Sequence, residues 1–396
     1  GLYGTSGEDH ADNLLRFAAF VRAALLAVQR LELEPDVVHC HDWQTALAPV
    51  WLSAEDVATA GSTRGPAPPT VLTIHNLAYQ GRFPATDRLH ADVEPGAGRR
   101  LPGAGDLVLL REGLRAADRV TTVSPTYATE ILRPEFGFGL HEDLRALEPP
   151  VVGILNGIDT ETWSPADDPH LPAGWTADDP SGKGKARAAL AAEFGFDAPE
   201  GAPVFGLVSR LVDQKGIGLI EALRDDIAGW TDARFAFLGT GEPRYERLLR
   251  ELDGALPHVG SRVAFDERLA HLVEGGADFF LMPSAFEPCG LNQMISHRYG
   301  TLPIVHRTGG LADSVVPLNE SNLAEGTADG IVFEHFDPAG LRWAIEEARR
   351  LYADRPTCDR VRRNAMRVDH SWEGRLPAYE RLYRELAVPA RSSGSA

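Results

Sequence analysis

The sequence predicts an α/β protein built from two doubly wound units, each a mostly parallel sheet with helices packed on it. Two observations predict this. Short runs rich in Val, Ile, Leu and Phe alternate along the chain with helical patterns, which is the order that builds parallel sheets. The alternation occurs twice, on either side of a stretch near 163–185 that is dense in Pro, Asp and Gly. A length of 396 residues accommodates both units.

Taken in order, the first block (1–160) holds a helical pattern at 12–30 and strand-like runs at 37–40, 70–75, 119–124 and 151–156. Four strands are few for such a unit, so this block is expected to lack its beginning. Residues 161–184 read as a connector between domains. The second block (185–373) carries runs at 204–209, 234–239, 262–265, 278–283 and 302–306. Helical patterns at 184–195, 216–227, 243–253, 291–299 and 338–352 separate most of them. A last helix is expected at 374–386, inside a closing segment 374–388, and the Ser/Gly tail 389–396 reads as flexible.

Composition narrows the partners. Apolar residues make up 43% and charged residues 24%, a globular composition. Lys and Arg number 39 against 57 Asp and Glu, a net charge of −18, which disfavours nucleic acid or an anionic membrane as partner. An anionic ligand must therefore find a local cationic pocket. Cys40, Cys289 and Cys358 lie far apart, so neither a disulfide framework nor a CxxC metal knuckle is implied, and a cytoplasmic protein is expected. No run approaches the roughly 18 apolar residues of a membrane span. The chain opens Gly1-Leu2-Tyr3-Gly4 instead of with Met, which reads as a fragment or a processed product.

In open parallel sheets ligands bind beyond the carboxyl ends of the strands, so the strand ends carry the search for function. Polar ends on both blocks point to an active site in a cleft between two domains. Arg210 and Lys215 follow one run on a loop leading into a helix; a guanidinium and an ammonium there suit a diphosphate, though such a pair taken alone is often just solvated. Gly239-Thr240-Gly241 ends the next run, where glycines let backbone N–H groups approach an anion. A dinucleotide fingerprint would need Gly at 244, where Arg244 stands, so a Rossmann oxidoreductase is excluded.

Glu287-Pro288-Cys289-Gly290-Leu291 leads from a strand into a helix. Its amides can bind hydroxyls or phosphate and Glu287 can accept from sugar hydroxyls; the plainer alternative is a capping turn with a buried structural cysteine. Thiol catalysis by Cys289 would want a paired base, and none is assigned. His39 and His41 share one face of their strand while Cys40 points away, which argues against a metal site. Asp42, His75 and Asn156 read as polar groups able to bind a polyhydroxylated ligand, with a satisfied core role as the alternative for His75.

The strings VVHCHDWQTALAPVWL, TIHNLAYQG, ADRVTTVSPTYATEI, GILNGIDTETWSP, SRLVDQKG, EPCGLNQM and RYGTLPIVHRTGGLADSV, in this order, closely resemble the ADP-glucose-dependent glycogen and starch synthases. The resemblance runs from about residue 1 to 385. It implies a GT-B fold, two Rossmann-like domains with a terminal helix crossing back to the first. It also implies retaining transfer of glucose from ADP-glucose to the non-reducing 4-OH of an α-1,4-glucan, without a metal or other cofactor. On the matching motifs, Arg210 and Lys215 would hold the diphosphate and Glu287 the glucosyl unit, aided by the amides of Cys289, Gly290 and Leu291. His75, Asp42 and Asn156 would line the sugar and acceptor side. Phe265 would lie beside the adenine, and Gly239, Thr240 and Gly241 along the nucleotide.

One departure matters. Family members begin with a strand and a KTGGL loop facing the donor phosphates; here the only TGGL is Thr308–Leu311, in the second block. The absent part would be on the order of a hundred residues. Two other readings stay open: a catalytically inactive fragment that binds only nucleotide or glucan, and a related transferase using another nucleotide sugar.

Overall fold

The structure is a computed structural model that describes residues 1–5, 8–53, 67–87 and 106–387. The chain forms two units, Gly1–Leu155 with Leu376–Ala396, and Asn156–Arg375. The division falls at 155/156, five residues before the sequence boundary at 160. The tail 389–396 lies outside the described residues.

The first unit is a four-stranded parallel sheet in chain order, β1 (Val38–His41), β2 (Thr70–Ile74), β3 (Arg119–Thr122) and β4 (Val152–Gly153). β4 is shorter than the apolar run 151–156, because only two of its residues pair with β3. Cys40, Leu72, Ile74 and Val120 face a cluster that includes Leu14, Ala18 and Val21 of helix α1 (Asn13–Arg30). Val71 and Ile154 are covered by Leu382 of the last described helix, Leu376–Ala387, so the end of the chain belongs to this unit. The outer side of α1 is different: Leu15, Phe20 and Leu26 are exposed.

The second unit is a six-stranded sheet, β5 (Val204–Leu211), β6 (Arg234–Gly241), β7 (Val259–Arg262), β8 (Phe279–Met282), β9 (Leu302–His306) and β10 (Ile331–Phe333). Its spatial order is β7-β6-β5-β8-β9-β10 and every pairing is parallel. The strands are buried on both faces, and alternate residues serve opposite layers. Phe205, Phe235 and Phe279 go to one cluster; Val204, Ala236 and Phe280 go to the other. The three phenylalanines stack across the central strands with ring centroids 5.3 and 5.4 Å apart. Chain order reverses between β5 and β8, the switch point at which parallel sheets take their ligands.

Three further expectations change. The stretch 161–184 is no loose connector: Asp168, Trp175 and Lys183 are buried in the second unit, with the Trp175 indole N–H donating to the Tyr299 carbonyl. The segment is rich in turn residues, but it supplies anchors that a linker would lack. The helical pattern 216–227 is two helices, Ile217–Ala222 and Arg224–Gly229, broken at Leu223. Helix α2 (Arg355–Arg367) and strand β10 were not read from the sequence: the helix is mostly polar and buries only Cys358, Val361 and Ala365, and the strand has three residues. No described helix is long and apolar enough to cross a membrane.

Candidate active site

A cavity of about 190 Å³ opens at the switch point of the second sheet. Its walls are Leu207–Arg210 from the end of β5, Leu281 and Met282 from the end of β8, then Lys215, Ser284, Glu287 and Gly290–Asn292 from the loops that follow. Sheet order brings these segments together, because β5 and β8 are neighbours while far apart in sequence.

Arg210 stands within β5, not on the loop after it, paired in register with Thr240. Lys215 closes a short turn, Asp213–Lys215, held by Gly216 at φ 71°. A side chain at 216 would put its Cβ 1.8 Å from the Pro283 carbonyl oxygen, so glycine is required twice over, for its backbone angle and for this approach. That approach seats the Lys215 turn on the loop of Glu287. The Lys215 ammonium lies 2.5 Å from Glu287 Oε2, which also accepts from the Ser284 hydroxyl at 3.0 Å. By their motifs these two residues serve separate ligand groups; the structure makes them one charge pair, with Glu287 Oε1 carrying neither bond.

The Glu287–Leu291 loop is fixed from behind. Gln293 Nε2 donates to the Cys289 and Gly290 carbonyls, and the Gly310 N–H donates to the Glu287 carbonyl at 3.0 Å. Gly309, at φ 43°, lies so close that a Cβ there would sit 2.0 Å from the Glu287 carbonyl oxygen. Thus the Thr308–Leu311 segment buttresses the loop. Cys289 is buried and its thiol is pushed up to about 12 by desolvation, against a backbone hydrogen bond from Asn156. A thiol so placed remains protonated at neutral pH and is a packing group.

The remaining sites divide between the units. Gly239, Thr240 and Gly241 are the last residues of β6, hydrogen-bonded in the sheet, so the strand runs two residues past the apolar run 234–239. The reason is steric: a Cβ at 239 or 241 would meet the Ser209 or Leu211 carbonyl oxygen at 2.0 or 2.3 Å, so glycine lets the ladder run on. Leu291 precedes the helix Asn292–Tyr299, and Phe265, beyond β7, is 97% exposed. Asn156 belongs to the second unit, beside Cys289, whereas Asp42 and His75 belong to the first.

In the first unit the ends of β1 and β2 carry four polar residues. Asp42 holds a left-handed backbone, φ 55°, and its Oδ1 accepts from the His75 N–H at 2.7 Å. Burial raises the Asp42 carboxyl, while backbone N–H groups of His75 and Asn76 and the charge of His75 pull it down. His39 and His41, dismissed as metal ligands, stack with ring centroids 4.4 Å apart, and His41 Nδ1 lies 3.0 Å from His75 Nε2. Among the described residues no group of three or more His, Cys, Asp or Glu is arranged to hold a metal ion.

Known proteins can now be set beside this geometry. A solved structure of sucrose-phosphate synthase from Thermosynechococcus elongatus superposes with a TM-score of 0.61 at 19% identity, covering 97% of this chain and 82% of that one. The catalytic domain of starch synthase IV from Arabidopsis thaliana, bound to ADP and acarbose, superposes with a TM-score of 0.86 at 33% identity, covering 96% and 79%. The fold is therefore that of the GT-B glycosyltransferases. The starch synthase catalytic domain family matches residues 1–146. The glycogen synthase of Anaeromyxobacter dehalogenans is 45% identical over 394 residues, 98% of this chain and 80% of the relative. That of Myxococcus xanthus is 47% identical over 399 residues, with the same coverage. The chain belongs to the glycogen and starch synthase family of glycosyltransferases.

Proposed function

We propose that this chain is a retaining glucosyltransferase that moves glucose from ADP-glucose to the non-reducing end of an α-1,4-glucan, with no metal or cofactor. The observation that carries this reading is the switch-point cavity whose polar walls are Arg210, Lys215, Ser284 and Glu287, in a chain of this family. The Arabidopsis relative bound to ADP and acarbose supports a nucleotide donor and a glucan-like acceptor.

In this reading Arg210 and Lys215 take the diphosphate and stabilise the charge that grows on it as it leaves. Glu287 accepts from the glucosyl hydroxyls through Oε1 while Oε2 keeps Lys215 in place. The amides of Cys289, Gly290 and Leu291 fix the sugar or the distal phosphate. Gly239, Thr240 and Gly241 run along the nucleotide, and Phe265, exposed in the free chain, stacks on adenine. His75, Asp42 and Asn156 serve the glucosyl and acceptor hydroxyls. The bond from the anomeric carbon to the phosphate oxygen breaks, the bond to the acceptor 4-oxygen forms on the same face, and the departing diphosphate takes the 4-OH proton. No separate base is needed.

The test is incorporation of labelled glucose from ADP-glucose into glycogen, with Arg210→Ala as control and UDP-glucose as competitor. Incorporation that survives a chelator, is lost in the control and resists UDP-glucose is expected. A folded chain that incorporates nothing would count against the proposal and favour a polypeptide that only binds.

A further inference from the structure

The ends of β1 and β2 hold more order than a pair of sugar-binding side chains requires. His39 has both ring nitrogens engaged, Nδ1 with the Tyr383 hydroxyl at 2.7 Å and Nε2 with the Thr73 hydroxyl at 2.6 Å. Thr73 in turn meets the Thr121 hydroxyl at 2.6 Å. His39 is thus a fixed plate, and the His41 ring lies on it with an interplanar angle of 24°. The His41 backbone is clasped as well: its N–H donates to Thr45 Oγ1 at 2.6 Å and its carbonyl accepts from the same hydroxyl at 2.7 Å. From that held position His41 Nδ1 reaches His75 Nε2, while Asp42 holds the His75 backbone.

We infer that His41 is a positioning residue for His75, fixing its ring orientation and its tautomer through the Nδ1 to Nε2 hydrogen bond. A hydrogen bond between two imidazole nitrogens carries one proton: one nitrogen donates and the other accepts. The choice made at His75 Nε2 then decides whether His75 Nδ1 is a donor or an acceptor, and so which kind of hydroxyl contact it offers. Burial and the neighbouring His75 keep His41 below the usual imidazole range, and burial, with His41 and His75 nearby, brings His39 to about 4, so the stack is neutral near pH 7. The sequence offered no signal for this. It placed His39 and His41 on one face of a strand, and the partner of His41 stands on the next strand.

This inference rests on the proposed part of His75 in sugar binding, and the experiment separates the two. Nitrogen-15 imidazole spectra of the full chain should show His75 in one tautomer. His41→Ala should replace that with averaged shifts. His41→Asn, whose terminal atoms reach the place of Nδ1, should restore a single form, while His41→Gln, which reaches the place of Nε2, should not. In glucose incorporation, His41→Ala should lower kcat by up to about a hundredfold with KM for the nucleotide sugar little changed, and Asn should rescue where Gln does not. An unchanged His75 spectrum in His41→Ala would overturn the inference, as would equal behaviour of Asn and Gln, which packing alone would give. A fully active His75→Ala would instead remove the reading beneath it. The spectra need no turnover, so they decide the tautomer lock even in a chain that transfers no glucose.

Discussion

The two units solve the same problem, holding polar groups at the ends of parallel strands, by different means. In the second, backbone does the holding. Gly216 and Gly309 let chain segments approach so closely that the Lys215 and Glu287 loops have little room to move, above a sheet whose strands are buried on both faces. In the first, side chains do it: His39 is hydrogen-bonded to Thr73 and Tyr383, and the His41 ring stacks on it and reaches His75, above a four-stranded sheet whose helix α1 leaves Leu15, Phe20 and Leu26 exposed. Rigid backbone suits the diphosphate site proposed there, which would meet its ligand with fixed charge. A side-chain network can tune hydrogen-bond character, but it depends on every member.

The largest effect expected from this contrast is at the charge pair. Lys215→Ala removes a cation from the proposed diphosphate site and leaves Glu287, nearly buried, with Ser284 on Oε2. Turnover should fall by about a hundredfold to a thousandfold while the circular dichroism spectrum is kept. Near-normal turnover would take Lys215 out of the mechanism and make the pair merely structural. The next effect is on stability at large. Limited proteolysis should leave a resistant core near 156–375 and cut 1–155 readily. Equal resistance of both halves would erase the contrast.

Much of this was legible in the sequence, for a physical reason. Strands buried on both faces are continuous apolar runs, so Val204–Leu211 and Phe279–Met282 announce themselves. Their polar ends mark the ligand side because parallel strands point one way. Nothing local announces β10, with three residues, or α2, whose buried Cys358, Val361 and Ala365 are spaced among charges. The Lys215–Glu287 pair was illegible because it depends on β5 lying next to β8, a fact of topology. The same holds for Gly309 beneath Glu287, for His41 against His75, and for the stretch 161–184, whose Asp168 finds His271 only once the second unit has closed on it.

A smaller effect separates the units by pH. Glu274 of the second unit is fully buried; desolvation raises it to about 8, against a hydrogen bond from Ser296 and the charge of Lys183. The folded chain therefore binds this proton more tightly than the unfolded chain does. The stability it adds is complete below its unfolded value, 4.5, and is lost as pH rises to about 8. Lys183, lowered by burial, tilts the parent's curve the other way, so the informative quantity is the difference between variant and parent. Glu274→Gln should gain on the parent between about pH 5 and about pH 8.5 in urea denaturation of the second unit. A difference flat with pH would mean that Glu274 stays ionised in the folded chain.

The smallest effect tests the first unit's exposed face. Leu14 and Phe20 sit on the same helix, one 3% and the other 57% exposed. Leu14→Ala opens a hole against Ala18, Val21 and the sheet beyond, and should cost about 2–5 kcal/mol. Phe20→Ser removes a ring that water already reaches, so its cost should stay within about 0.5 kcal/mol. Sedimentation of the two variants with the parent completes the comparison. If Phe20→Ser is neutral and the sedimentation coefficient does not move, the outer side of α1 is solvated in the isolated chain. If it instead lowers stability at high protein concentration and shifts a dimer to monomer, a second copy covers that face. The first unit would then owe part of its stability to association, and its susceptibility to protease would fall as concentration rises, which the second unit's would not.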